Sequence, residues 1–192
     1  MKRSSRRSMS VAFIRTGDRR YAVRATLDGG QVVQMDPAPG FDALMPHDLQ
    51  HFIVEKCLKI EGGVFGRLAA GGTARTFHAV AEGVSPREAS RLRRKQAAKD
   101  RRIMPEQTGD YGRSERATYV CWHDWLQHAD DPAMRMRAGE MRHSATKLLA
   151  EMPPQERAAY TSGKLNEIRN EFQRLSGRWS ALRVGESFVE AW

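Results

Sequence analysis

Between Ser10 and Asp36, apolar and β-branched residues come in short runs separated by turn residues, the pattern of strands rather than helices. Val11 to Arg15 is closed by Thr16-Gly17-Asp18, Tyr21 to Leu27 is closed by Asp28-Gly29-Gly30, and Gln31 to Met35 follows. Asp-Gly supplies the positive φ that a tight hairpin needs, so the spacing predicts a three-stranded antiparallel meander over residues 10–36. Pro37 and Pro39 end it, because proline has no N–H to give to a ladder. From Pro46 the period becomes helical. The fixed φ of proline suits a first turn, and Leu49, Phe52, Ile53 and Cys57 form an apolar stripe that reaches about Lys59, with Gly62-Gly63 as the stop. Shorter helical pieces are expected over 64–70 and 73–82.

Ser85-Pro86-Arg87-Glu88 is a capping box with proline at the first helical position, which starts a helix that Pro105 must stop. Helical patterns continue over 114–129 and 132–152. In the second of these Met134, Ala138, Met141, Ala145, Leu148 and Met152 recur at alternating intervals of four and three. A last helix over 163–176 places Leu165, Ile168, Phe172 and Leu175 on one stripe, and these last two helices are expected to pair across Pro153-Pro154. After Gly185, residues 186–192 read as a terminal strand that can join the sheet. The expected fold class is α+β. Residues 10–192 form a single domain, with a small three-stranded amino-terminal sheet, a mainly helical part over 46–176 and the carboxy-terminal strand. Residues 1–9 are expected to be a basic, disordered tail.

Composition narrows the function classes. A chain of 192 residues with 40% hydrophobic content can build a core. No apolar run approaches the roughly 20 residues of a membrane-spanning helix. Ser5-Arg6-Arg7-Ser8 has the look of a twin-arginine export signal, but Val11 to Ile14 is cut off at once by Arg15, Asp18, Arg19 and Arg20, so a cytoplasmic protein is expected. Cys57 and Cys121 stand far apart in the chain and are expected to be small apolar residues in a reducing compartment rather than a disulfide.

The formal charge of +9 favours anionic partners. It is most concentrated in a helix expected over 87–102, where between Arg91 and Arg102 the basic residues Arg91, Arg93, Arg94, Lys95, Lys99, Arg101 and Arg102 are opposed only by Asp100. Such a surface can follow a nucleic-acid backbone or an acidic protein partner, or be a solvated face with no partner at all. The glycines of Glu61-Gly62-Gly63-Val64-Phe65-Gly66 lack the Gly-Lys-Ser/Thr of a nucleotide cradle and are expected at helix ends and close packing. Cys121-Trp122-His123-Asp124-Trp125 reads as aromatic core, since neighbours in a helix point in different directions.

The strongest chemical signal is His47-Asp48-Leu49-Gln50-His51. Positions i and i+4 of a helix share a face about 6 Å apart along the axis, so both imidazoles can hold one metal ion. Asp48 is then the proton acceptor for an attacking water. Glu55, eight residues and about 12 Å from His47, cannot bind the same ion as both histidines. It can join His51 or position it. The expected third ligand is His78 or Glu82, themselves four residues apart, and the ion is zinc or another divalent metal.

HDxxH resembles the HExxH of gluzincin metallopeptidases, departing from it at Asp48, whose side chain is one methylene shorter. The resemblance implies two histidine ligands, an acidic base and a third ligand on a later helix. The His-Asp doublet also resembles HD-type phosphohydrolases, whose further ligands have no assignable counterpart here. The stretch from Met45 to Glu55, a Pro-His-Asp-Leu-x-His-x-x-Val-Glu helix, is similar to bacterial proteins with no assigned activity and implies no function of its own. The leading expectation is a metal-dependent hydrolase. The alternatives are a non-enzymatic binding protein acting through residues 87–102, and an oligomeric scaffold or regulator whose His-Asp motif is only the polar start of a core helix.

Overall fold

The computed structural model describes residues 8–74, 76–80 and 108–192, with residues 87, 88, 90, 91, 94 and 98 between them. The meander forms as its turns predict: β1 (Ser10–Gly17), β2 (Arg20–Thr26) and β3 (Val32–Ala38). Gly29 at φ 93° and Gly30 at φ 83° make the β2–β3 turn, closed by Gly30 N–H donating to Leu27 O. The sheet has five strands rather than the three expected at the amino terminus: the terminal strand joins it, as its pattern allowed, and one short strand is an addition. A two-residue β4 (His78–Ala79) and the terminal β5 (Ser187–Ala191) complete an antiparallel sheet of order β4-β3-β2-β1-β5.

β4 lies where a helix was expected over 73–82. The outer edge of β3 supplies the reason, since His78 and Ala79 pair there with Gln34 and Val33 and so satisfy backbone groups that local helix propensity does not see. Strand alternation then sends Val11, Phe13, Tyr21, Val23, Ala25, Val33, Met35 and Phe188 to one buried face.

Against that face lies α1 (His47–Leu58), with eight consecutive buried residues from Asp48 to Glu55. It is enclosed on every side rather than along one stripe. Phe52 meets Phe13 and Phe65 edge to face at 5.7 and 5.2 Å, and each such side chain contributes roughly 1.5–3 kcal/mol by its burial. The helix ends at Lys59, which takes the left-handed conformation at φ 53°, three residues before the glycines expected to stop it. Those glycines serve close packing instead. A Cβ on Gly62 would lie 2.3 Å from Asp110 Cβ, and one on Gly66 would lie 2.2 Å from Glu61 O.

After α2 (Val64–Ala69), the long helix α3 (Thr108–Gln127) begins six residues before the expected 114. Its weak opening, Thr-Gly-Asp-Tyr-Gly, is docked by Asp110 accepting from Gly62 N–H at 3.1 Å. α4 (Pro132–Glu151) starts on an Asp131 cap, and α5 (Pro154–Arg157) and α6 (Ser162–Ser180) follow. The expected pairing of α4 with α6 is not what forms. α4 packs on α3, and α6 packs on α1 and α3. The short turn at Asp130-Asp131 makes α3 and α4 antiparallel neighbours, and the apolar stripe of α4 suits either partner. Trp122, Trp125 and Phe172 knit α3 to α6, as the aromatic reading of residues 121–125 requires. No helix among the described residues is long and apolar enough to cross a membrane, and both cysteines are free.

Candidate metal centre

Burying α1 on all sides places its polar side chains where each needs a partner. Glu55 is fully buried, and its carboxylate accepts from the backbone N–H groups of Val64 at 2.8 Å and Phe65 at 2.9 Å, the first turn of α2. A carboxylate is favoured there by the unpaired N–H groups and the dipole of the helix start. Gly63 makes room for it, since a Cβ would lie 2.2 Å from the Glu55 carboxyl carbon.

The same carboxylate accepts from Ser114 Oγ at 2.6 Å, and Ser114 Oγ lies 2.8 Å from His51 Nδ1. A hydroxyl has one hydrogen. Ser114 gives it to Glu55 and therefore accepts from His51, which fixes the proton of His51 on Nδ1. Thr118 Oγ1, 3.2 Å from the same nitrogen, supports the ring from the next turn of α3.

With Nδ1 engaged, His51 Nε2 faces the other way, towards Glu115 Oε2 at 3.5 Å. His47 stands beside it, the two rings 4.6 Å apart and nearly perpendicular at 88°. The donor atoms of His47, His51 and Glu115 all lie within 4.8 Å of one another, the one such group among the described residues.

Electrostatics follow the geometry. Burial of the ring opposes charge on His51, but hydrogen bonding to Glu115 and Glu55 outweighs it and raises its pKa to about 9. The His51 contact in turn holds Glu115 below the usual carboxylate range. His47 is held below the usual imidazole range by desolvation and by His51 beside it. Glu55 and Glu115 thus stand at opposite nitrogens of one imidazole, 3.6 Å from Nδ1 and 3.5 Å from Nε2.

Asp48 is placed differently. It is buried, and Tyr21 Oη contacts both its Oδ2 and Pro39 O. One phenol hydrogen serves one of these acceptors at a time. Burial pushes Asp48 up to about 6, against the opposing effect of the Tyr21 hydrogen bond. The carboxyl that the HExxH likeness makes a base is engaged by the sheet.

His78, expected as a third ligand, is an exposed residue on β4, opposite Gln34, and is not part of the group. Its alternative, Glu82, lies outside the described residues. Glu115 is the carboxylate that lies with the two histidines instead. Sequence spacing carries no signal for it, because α1 and α3 are brought together only by tertiary packing. Of the basic stretch, Arg91 and Arg94 are described and exposed, whereas Arg93, Lys95, Lys99, Arg101 and Arg102 lie outside the described residues.

His47 and Glu115 open onto a cleft of about 280 Å³ between α1, α3 and α4, whose walls include Trp122, Tyr119 and Arg137. His51 itself is buried behind them. Two imidazoles and one carboxylate at the edge of a cleft make a donor set suited to zinc or a similar divalent ion, with room left for a further ligand. No protein-family model, curated protein or solved structure matches the chain.

Proposed function

We propose that the protein binds a divalent metal ion, zinc or one of similar ligand preference, through His47 Nε2 or Nδ1, His51 Nε2 and Glu115, and uses it for hydrolysis of a substrate held in the adjoining cleft. The observation that carries this reading is the relay Glu55–Ser114–His51. It holds Nδ1 of a buried histidine so that Nε2, from which a bound ion would displace the proton, faces a second histidine and a carboxylate. Metal-binding histidines are commonly held in this way by a hydrogen bond to the other ring nitrogen. Such an ion supplies Lewis-acid polarisation of a bound carbonyl or phosphoryl oxygen and acidifies water.

The chain's own residues have separate duties in this reading. His47 and Glu115 face the cleft and complete the ligand set, His51 anchors it from the interior, and Ser114 with Glu55 orients His51. Asp48 holds Tyr21 and so ties the start of α1 to β2.

The test is metal content. Protein equilibrated with excess zinc and then freed of unbound ion should retain about one equivalent by elemental mass spectrometry, as a three-ligand site predicts. Loss of the ion in His47→Ala and His51→Ala is expected. Wild-type protein that retains no zinc, manganese, cobalt or nickel would overturn the proposal.

A further inference from the structure

Arg137 shares the cleft with the His47-His51-Glu115 group, and its surroundings hold it in an unusual state for a surface arginine. Its Nη2 donates to Asp42 Oδ2, while Asp42 Oδ1 accepts from Leu44 N–H at 2.9 Å, so the aspartate is itself fixed to the backbone. The guanidinium lies over the Trp122 ring at 5.4 Å. Salt bridge and ring together fix both the direction and the plane of the fork. Among the described residues its hydrogen bonds go to Asp42 alone, through Nη2, so the second Nη2 hydrogen together with Nε or Nη1 leaves one two-donor edge for another acceptor. An arginine held by one carboxylate and one indole, with an open edge beside a cleft, is built to receive a second planar oxyanion.

The remaining walls give the body of that ligand. Trp122, Tyr119, Phe41 and Met141 are apolar or aromatic, and the volume of about 280 Å³ is at the small end for ligand sites. Asp42 and Glu115 on the walls outnumber Arg137 by one, so a monoanion is favoured over a dianion.

We infer that the cleft takes a small carboxylate with an aromatic or bulky apolar body, its carboxylate paired with Arg137 and its body against Trp122. This deepens the hydrolase reading by naming the substrate class of the same cleft, and rests on that reading only for what happens at the metal end. The class is that of short acyl or acylamino acids with a free carboxylate.

The test uses the full-length protein and three probes: 3-phenylpropanoate, its neutral amide 3-phenylpropanamide, and phenyl phosphate. Tryptophan fluorescence or calorimetry reads binding, in protein stripped of metal with a chelator and in protein loaded with zinc. Metal-stripped wild type should bind the acid about tenfold or more tighter than the amide, the expected value of one charge-assisted hydrogen-bond pair. Arg137→Met, which keeps the apolar stem, should lose that preference while still binding the amide, so that amide binding reports an intact cleft. Arg137→Lys should recover only part of it.

Equal binding of acid and amide by wild type would overturn the inference. So would an acid preference that appears only with zinc and survives in Arg137→Met, a result that places the carboxylate on the metal and leaves the metal reading standing. Tighter binding of phenyl phosphate than of the acid would overturn the carboxylate class. An Arg137-dependent preference in protein that never binds zinc would uphold this inference while removing the hydrolase reading.

Discussion

At the scale of single residues, the site depends on where one hydrogen sits. Ser114 has its hydroxyl hydrogen drawn to Glu55 at 2.6 Å and is therefore an acceptor for His51 Nδ1. Ser114→Ala removes that acceptor without touching a proposed ligand. We expect a drop in zinc affinity of about 10–100-fold, the usual cost of losing a partner that orients a metal-bound histidine, read by competition with a chromophoric chelator. Unchanged affinity would mean that the relay has no part in metal binding. Gly63 is the second such residue. Its missing Cβ leaves the space that the Glu55 carboxyl occupies, so Gly63→Ala should cost roughly 1–3 kcal/mol in urea denaturation through displacement of a buried carboxylate. Of these residues the pair His47 and His51 was legible, because helical spacing is local. Glu115 was not, since nothing in the sequence says which face of α3 meets α1.

Among the elements, strand and helix positions followed from alternation, turn chemistry and proline placement, whereas partner choice did not. The stripe of Met134, Ala138 and Met141 predicted an apolar face on α4 but not that α3 would cover it. β4 was missed for a related reason: two residues pair there because β3 has an open edge, not because their own pattern asks for it.

The return of β5 to β1 is fastened from outside by Glu190, which accepts from Arg174 at 3.1 and 3.0 Å and from Arg178. Partial burial works against charge on Glu190, yet the two arginines prevail and hold its carboxyl below the usual range. A depressed folded pKa means that stability is gained above the unfolded value of about 4.3 and lost as pH falls through the folded one. Glu190→Gln should therefore lower stability near neutral pH by up to about 1 kcal/mol and narrow its gap from wild type as the pH falls below 4, followed by chemical denaturation across that range. A gap that stays constant with pH would show that the clasp contributes nothing through charge.

At the scale of the whole molecule, α1 among the described residues lies between one face of the sheet and α2, α3 and α6, and it carries buried polar residues. Asp48, Gln50, His51 and Glu55 are all buried on α1 and all partnered: by Tyr21, by Met45 O, by Ser114 and by the start of α2. Each partner is contributed from outside α1's own turns or from its entry, so the helix acts as the hub on which sheet, loop and α3 agree. Gluzincin-like spacing suggested the stretch 73–82, with His78 and Glu82, as the source of a third ligand. In the assembled molecule the carboxylate beside the two histidines comes instead from α3, the helix that also supplies Ser114 and Thr118 to His51.

The central claim, that His47, His51 and Glu115 bind one metal ion, is tested most directly by measuring zinc affinity side by side in wild type, Glu115→Ala and His78→Ala by chelator competition, with thermal melts to confirm folding. Glu115→Ala should weaken zinc by more than about 100-fold, beyond the loss of an orienting partner, while His78→Ala should match wild type. Equal affinity in wild type and Glu115→Ala would contradict it.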